Sequence, residues 1–270
     1  MLANYHTHTK RCGHAQGEDR EYVENAIRNG MKVLGFSDHC PWVYPDDFVS
    51  HTRMRPDELD DYFTSLINLR EEYKKDITIY IGFESEYIPE LLPEQDKLLA
   101  DYPVDYHILG QHFLTREPSF YTGRIFSDEK ILEDYVNSVI EALETGRYSY
   151  LAHPDLMGFS GSREIYDRHY LRLCQYLKAH DLPVEINLLG VAEHRHYTDE
   201  HFLKLAGETG CKAIIGCDAH QPYRLNFRTG QELCCQMAQR NHLPVTDYLP
   251  GLGKKNINSE QTCVYFSKKK

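Results

Sequence analysis

Seven short apolar runs alternate along the chain with longer helical patterns, and this alternation constrains the fold more than any other feature of the sequence. It is typical of parallel strands that are joined by crossover helices. The predicted strands are Leu2–His6, Val33–Asp38, Ile77–Glu84, Tyr106–Gln111, Tyr148–His153, Pro183–Asn187 and Lys212–Asp218. The sequence therefore predicts an α/β fold with a parallel sheet.

The segments between these runs carry recognisable helix ends. A helix over Glu18–Asn29 stops at Gly30, a second begins at Pro56, and a third begins at Ser127 and stops at Gly146. Further helices are predicted over Tyr166–His180, Asp199–Thr209 and Gly230–Arg240, and Thr262–Phe266 is a candidate for an extra strand.

The length of the chain bears on how these units are organised. The chain has 270 residues and no low-complexity or linker-like tract divides it, while one α/β barrel commonly occupies about 200–250 residues. We therefore predict a single domain over residues 1–270 that forms a closed or nearly closed barrel. A doubly wound open sheet is the alternative, because one sequence does not reveal strand order.

Charge and cysteine usage narrow the class of partner and the compartment. Thirty Lys and Arg against 41 Asp and Glu give a net charge of −11, which opposes attraction to nucleic acid or to an anionic membrane. The apolar runs are too short to span a bilayer, the N-terminus lacks a signal-peptide pattern, and the cysteines form no C-x-x-C pair. We expect a cytoplasmic protein with no nucleic-acid or membrane partner; its oligomeric state stays open.

Nearly every predicted strand ends in a side chain that can bind a metal ion. Parallel barrels place their active sites at the C-terminal ends of the strands, and an H-x-H pair there turns two imidazoles to the same side. The candidate ligands are His6, His8, His14, His39, Glu84, His112, His153, Asp218 and His220. Asp38 is a candidate for orienting one of the imidazoles.

The number of candidates indicates more than one ion. Clustering such groups inside a barrel would be costly unless a cation compensated them, and one catalytic zinc typically uses about three protein ligands. Nine candidates would serve three divalent metal ions, with Glu84 bridging two of them. Imidazole-rich sites without thiolate suit Zn, Mn or Fe more than Mg or Ca.

The motifs as a set resemble a known family. They are H-T-H at 6–8, His14, S-D-H at 37–39, Glu84, His112, A-H-P at 152–154, E-I-N at 185–187 and C-D-A-H at 217–220. In this order they are similar to those of the PHP (polymerase and histidinol phosphatase) family, and all nine ligand positions of that family are present.

The resemblance implies a TIM-like, distorted (β/α)7 barrel with a trinuclear metal centre. By this resemblance His6, His8, Glu84 and Asp218 hold the first metal, and His14, His39 and His220 hold the second. Glu84 bridges to a third that His112 and His153 complete. His39, Asp218 and His220 are then the expected catalytic residues.

Within the family the chain is most similar to the stand-alone histidinol-phosphate phosphatases, through its length, its G-H-A segment at 13–15 and its P-V-E-I-N strand. The implied reaction is hydrolysis of L-histidinol phosphate to L-histidinol and phosphate, in histidine biosynthesis, by attack of a metal-bridging hydroxide. Arg163 and Arg195 resemble the pair that grips the substrate phosphate. Glu185 is our hypothesis for the group that holds the substrate ammonium. A water or an imidazole such as His194 or His196 could protonate the leaving alcohol, and the sequence does not choose between them.

Two alternatives compete with this interpretation. In the first, the same metal centre hydrolyses another phosphoester, such as a phosphotyrosine protein or a nucleotide. In the second, the chain is a non-catalytic metal-binding module. The substrate class depends on four aromatic-rich loops, which are Pro41–Pro56, Leu114–Phe126, Met157–Tyr166 and Leu188–Tyr197. An enclosed aromatic pocket there would favour a small molecule that carries an imidazole.

Overall fold

In a computed structural model, which describes residues 1–249 and 251–252, the apolar runs form parallel strands. The strands are β1 (Ala3–Asn4), β2 (Val33–His39), β3 (Thr78–Ser85), β4 (Tyr106–Leu109), β5 (Ile125–Phe126), β6 (Gly158–Phe159), β7 (Val184–Asn187) and β8 (Ala213–Gly216). The candidate strand at Thr262–Phe266 lies outside the described residues.

The strands close into a ring. β1, β2, β3 and β4 pair in parallel in that order, and β7 pairs with β8. Leu151 joins the two groups, because it bridges Leu109 of β4 on one side and Val184 of β7 on the other. Thr7, just after β1, bridges Ala219 beyond β8 and closes the circle. The predicted distorted (β/α)7 barrel is confirmed, and the open-sheet alternative is wrong because both edges are paired.

The fifth barrel segment is much shorter than the predicted strand Tyr148–His153. Its residues hydrogen-bond to β4, with the Leu109 N–H donating to the Tyr150 oxygen and the Ala152 N–H donating to the Leu109 oxygen. The chain then turns sharply at His153, whose φ is 29°. Ladder pairing therefore ends where the side chain of His153 enters the site. The two-residue strands β5 and β6 pair with each other outside the ring and were not predicted.

Helices connect the strands and cover the barrel. They are α1 (Asp19–Arg28), α2 (Leu59–Glu72), α3 (Leu92–Leu99), α4 (Glu129–Glu144), α5 (Arg163–Ala179), α6 (Leu188–Ala192), α7 (Glu200–Thr209) and α8 (Arg228–Arg240). Side chains of Asp128, Ser162, Asn187 and Asp199 accept N–H groups at the starts of four of them, as N-caps do. The short helices α3 and α6 were not predicted. Among the described helices, none combines the length and the apolarity that a bilayer crossing needs.

An apolar cluster that contains Tyr106 fills the barrel beneath the C-terminal ends of the strands. Tyr5, Tyr150, Ile108 and Ile214 belong to the same cluster. The Tyr106 hydroxyl donates to the backbone oxygens of Tyr5, at 2.8 Å, and Phe36, at 3.0 Å. This packing fills the barrel beneath its rim, and the cavity that the strand-end side chains line lies above it.

We predict that Tyr106→Phe lowers the free energy of unfolding by about 1–3 kcal/mol, because the two buried backbone oxygens lose the one hydroxyl hydrogen that they share. Chemical denaturation of the folded protein measures this change. Tyr223→Phe is the matched control, since Tyr223 is 56% exposed. Equal stabilities of the two variants would contradict the proposed role of the Tyr106 hydroxyl.

Candidate metal centre

All nine predicted ligands meet at the C-terminal end of the barrel. His6 and His8 follow β1. His39 is the last residue of β2, and Glu84 is the second-last residue of β3. His112, His153, Asp218 and His220 follow the later barrel segments, and His14 follows a short 3-10 turn, Lys10–Cys12. Parallel strands that run in the same direction around a ring bring these positions to one rim.

The Glu84 carboxylate lies at the centre of the cluster. Its Oε2 atom is 3.3 Å from His6 Nε2, 3.5 Å from His8 Nε2 and 3.2 Å from His39 Nδ1. The Asp218 carboxylate faces two of these three imidazoles. Its Oδ1 atom lies 3.6 Å from His6 Nε2 and 3.2 Å from His8 Nε2. These atoms surround one common point.

Two further groups of donor atoms flank this point. On the other oxygen of Glu84, Oε1 lies 2.8 Å from His153 Nε2 and 3.5 Å from His112 Nε2. On the opposite side, the Nε2 atoms of His14 and His220 face each other at 2.9 Å. The donor atoms thus form three adjacent groups, and Glu84 belongs to two of them.

The donor atoms fit divalent cations. His6 Nε2, His8 Nε2 and Glu84 Oε2 are buried polar atoms that lack a hydrogen-bond partner within the described residues. Buried polar groups are normally paired, and these three converge on the same space. A cation bound there would supply the missing interaction.

Most of the imidazoles are held in orientation through their second ring nitrogen, as metal-binding histidines usually are. His6 Nδ1 lies 2.8 Å from a Glu185 oxygen, and His112 Nδ1 lies 3.2 Å from a Glu86 oxygen. His14 Nδ1 lies 3.0 Å from the backbone oxygen of Cys12, and His220 Nδ1 lies 3.2 Å from the backbone oxygen of Asp218. Asp38 lies 3.5 Å from His8 Nδ1. His8 Nδ1 has no hydrogen-bond partner within the described residues, so the orienting role of Asp38 stays a prediction.

Two glycines leave room for the buried carboxylates. A Cβ atom at Gly110, just after β4, would lie 2.1 Å from Glu84 Oε1, and one at Gly216, the last residue of β8, would lie 1.8 Å from Glu185 Oε1. Either contact is far shorter than van der Waals separation. Only glycine fits at these two positions while the carboxylates keep their places.

The electrostatics of the cluster divide it into two parts. Burial would raise the pKa of Glu84 and Asp218, but the surrounding imidazoles outweigh it and hold both pKa values well below their usual range. Burial likewise opposes protonation of His6, yet Glu185, Asp218 and Glu84 hold its pKa well above the usual value. Burial and neighbouring imidazoles lower the pKa of His14 to about 4. Burial and the neighbouring His8 also hold the pKa of His39 well below its usual value, although His39 contacts Glu84. Protonation is therefore favoured at His6 and disfavoured at His14 and His39.

Glu185 does not lie at the cavity mouth, so its predicted role in binding the substrate ammonium is wrong. It is the second residue of β7, points into the barrel and is fully buried. Its oxygens already accept from the Tyr150 hydroxyl, the His153 N–H and the Asn187 amide, and they lie against His6 Nδ1. Glu185 positions two of the candidate ligands.

The two predicted phosphate-binding arginines differ in position. Arg195 lines the cavity, where its guanidinium donates to the Tyr197 hydroxyl at 2.8 Å. Arg163 does not reach the cavity, and this prediction is wrong. Because Ser162 caps α5, Arg163 becomes the first helical residue and is exposed, with its guanidinium 5.8 Å from the centre of the Tyr166 ring.

The cavity above the cluster has a volume of about 470 Å³, within the range of small-molecule sites. Tyr121 and Tyr197 of the four aromatic-rich loops line it, together with Phe113, which directly precedes the loop Leu114–Phe126. His194 and His196 do not line it, and His196 Nε2 lies 2.7 Å from the Leu156 oxygen. The structure therefore does not support either histidine as the acid for the leaving alcohol.

Sequence reasoning missed a buried charge network beside the cavity. Arg53 donates to Glu86 at 3.1 and 2.9 Å and to Glu117 at 2.8 Å. Glu86 in turn orients His112. The sequence signal for Glu86 is its position two residues after Glu84, beside the end of β3. Arg53 and Glu117 lie in loops and belong to no motif, so the sequence gives no signal for them.

Sequence reasoning also missed Arg124, which lines the cavity beside Tyr121. Burial raises the pKa of the Tyr121 hydroxyl, and Arg195 and Arg124 act in the opposite direction. The Arg124 guanidinium lies 6.0 Å from the centre of the Tyr121 ring.

Comparison with known protein families matches residues 4–189 of the chain to the PHP domain. The chain belongs to the PHP domain family. The matched segment contains seven of the nine clustered side chains, and Asp218 and His220 lie beyond it.

Relatives of this PHP domain chain include a probable histidinol-phosphatase of Deinococcus radiodurans, 28% identical over 84% of this chain and 89% of the relative. The histidinol-phosphatase of Bacillus subtilis is 24% identical over 80% of this chain and 92% of the relative. A solved structure of histidinol phosphate phosphatase from Lactococcus lactis, complexed with zinc, L-histidinol and phosphate, has a TM-score of 0.67 and 17% identity. It covers 90% of this chain and 95% of that chain, and it supports the fold.

We predict that Glu185→Gln weakens divalent-metal binding by about 10–100-fold, because His6 loses the negative charge that orients it. Titration of the folded variant against a competing chelator measures the affinity. Glu90→Gln, at an exposed position, is the control. Unchanged affinity in Glu185→Gln would refute the positioning role.

Proposed function

We propose that the chain is a histidinol-phosphatase, a phosphoric monoester hydrolase that converts L-histidinol phosphate to L-histidinol and phosphate. The observation that carries this proposal is the cluster of three donor groups around Glu84 on the floor of a cavity of about 470 Å³. The names of the curated relatives and the zinc, histidinol and phosphate in the Lactococcus lactis structure support the substrate.

The ligand assignment follows the three groups of donor atoms. His6, His8, Glu84 and Asp218 hold one ion, and Glu84, His112 and His153 hold another. His14 and His220, which face each other, are proposed to hold the third together with His39. The His39 ring lies 5.3 Å from the His14 ring, and His39 and His220 belong to one group of donors that also contains His8. Three divalent ions are proposed, and Zn, Mn or Fe suits the imidazole-rich set. His39, Asp218 and His220 line the cavity and are the proposed catalytic residues.

Bound divalent ions would supply a water of lowered pKa and positive charge for the phosphate oxygens. The protein side chains provide the other requirements. The Arg195 guanidinium lies on the cavity wall, held by the Tyr197 hydroxyl at 2.8 Å and by Glu193 at 2.8 Å, and can bind phosphate oxygens through its planar fork. The Tyr197 ring lies 5.8 Å from the His153 ring and closes that side of the cavity, which helps to exclude bulk water.

The substrate test is phosphate release from L-histidinol phosphate by protein loaded separately with Zn, Mn and Fe. We expect a kcat/KM on the order of 10⁴ M⁻¹s⁻¹ or more, well above the values for p-nitrophenyl phosphate and a phosphate bis-ester. Weak turnover of all three esters would refute the substrate while retaining a metal-dependent hydrolase. Phosphotyrosine peptides and nucleotides would then be assayed in its place.

We predict that Asp218→Asn and His8→Ala each reduce phosphatase activity by at least about 10²-fold, since loss of a ligand should exceed the cost of losing an orienting partner. Part of the bound metal should be lost with the activity. Elemental analysis of the folded variants measures this loss. Full metal occupancy in both variants would refute the ligand assignment.

Several sequence-based expectations stay predictions. These are the extension of the domain to residue 270, the cytoplasmic location, and the absence of nucleic-acid and membrane partners.

A further inference from the structure

The loops Pro41–Pro56 and Leu114–Phe126 both line the cavity, and the carboxylate of Glu117 joins them. Glu117 belongs to the second loop and is only 5% exposed. It accepts hydrogen bonds from four side chains of the first loop. The donors are Ser50 and Thr52 to Oε1, at 2.8 and 3.0 Å, and Tyr44 and Arg53 to Oε2, at 3.2 and 2.8 Å. One buried carboxylate therefore holds the two loops together.

Arg53 extends this contact to the end of β3. Its Nε donates to Glu117, while Nη1 and Nη2 donate to the two oxygens of Glu86 at 3.1 and 2.9 Å. Nη1 also donates to the backbone oxygen of Cys40 at 3.1 Å. Because all three nitrogens of the guanidinium are held, its planar fork has a defined orientation between the two carboxylates.

Glu86 transmits this orientation to a candidate metal ligand. Its Oε1 lies 3.2 Å from His112 Nδ1, and its Oε2 accepts from the Trp42 ring N–H at 3.2 Å. On the other side of the imidazole, His112 Nε2 lies 3.5 Å from Glu84 Oε1. A continuous series of polar contacts thus runs from Glu117 through Arg53 and Glu86 to the metal-binding nitrogen of His112.

This series contains more negative than positive charge. The buried carboxylates of Glu86 and Glu117 share the one guanidinium of Arg53. A buried carboxylate is costly unless a cation compensates it, so the remaining negative charge favours a cation at the imidazole that Glu86 contacts. A metal ion bound to His112 would supply that charge.

We propose that Glu117 is a positioning residue that fixes His112 for metal binding through Arg53 and Glu86. The contact between the two cavity loops is thereby coupled to metal binding by Glu84, His112 and His153. Such coupling is reciprocal, so the bound metal stabilises the contact between the loops by the same free energy. This inference rests on the ligand assignment made under the proposed function.

The first test is zinc titration of folded Glu117→Gln against a competing chelator. An amide has one acceptor oxygen where a carboxylate has two, so either Arg53 or the two hydroxyls lose their acceptor. We expect the ion held by Glu84, His112 and His153 to bind about tenfold more weakly, at the lower end of the effect of losing an orienting partner. The affinity for the other ions should stay unchanged.

Asp46→Asn is the matched control, because Asp46 joins the same two loops through Arg116 at 2.5 Å but makes no contact with Glu86. Its zinc affinity should equal that of the wild type. In a His112→Asn background, Glu117→Gln should weaken zinc binding no further, because the imidazole that it positions is absent. A loss of equal size in both backgrounds would indicate a general structural effect and would overturn the proposal.

The second test measures hydrogen exchange of backbone amides with and without zinc. Zinc should slow exchange in both loops of the wild type, and this protection of residues 41–56 should be lost in Glu117→Gln. Unchanged zinc affinity in the folded variant, or a wild type whose loops show no zinc-dependent protection, would also overturn the proposal. Neither test uses histidinol phosphate, so failure of that substrate leaves both results unchanged. Wild-type zinc affinity in His112→Asn would instead refute the ligand assignment.

Discussion

The structure of the site depends on one buried carboxylate, that of Glu84. It is 1% exposed and its two oxygens contact two separate groups of imidazoles. A carboxylate so far from water is stable only where positive charge compensates it. Gly110 provides the space, β3 provides the direction, and the neighbouring strands bring the imidazoles within 2.8–3.5 Å.

A layer of orienting groups surrounds this centre and explains why the barrel interior is polar near its rim. Glu185 and Glu86 hold the rings of His6 and His112, and Arg53 neutralises part of the charge that Glu86 brings. Below this layer the packing is apolar around Tyr106. Tyr150 lies at the transition, because its hydroxyl donates to Glu185 while the residue itself belongs to the apolar cluster around Tyr106.

The order of the fold and the membership of the nine-residue cluster could be predicted from the sequence, because both depend on local patterns. Apolar runs mark strands, and polar residues at their ends meet when the strands are parallel. Glu185 showed the limit of this reasoning: its motif indicates a strand end but does not reveal how deep the side chain lies. Arg163 and Arg124 showed another limit. A capping residue directs the first to solvent, and a loop with no motif brings the second to the cavity.

Glu84 is proposed to hold two adjacent metal ions through its two oxygens, and metal stoichiometry tests this proposal most directly. Elemental analysis after removal of loosely bound metal should give about three ions per chain for the wild type, since one site uses about three protein ligands. Glu84→Gln, which removes the charge and keeps the shape, should lose the two ions that the carboxylate contacts. A single ion in the wild type, or the same stoichiometry in the folded variant, would contradict the account.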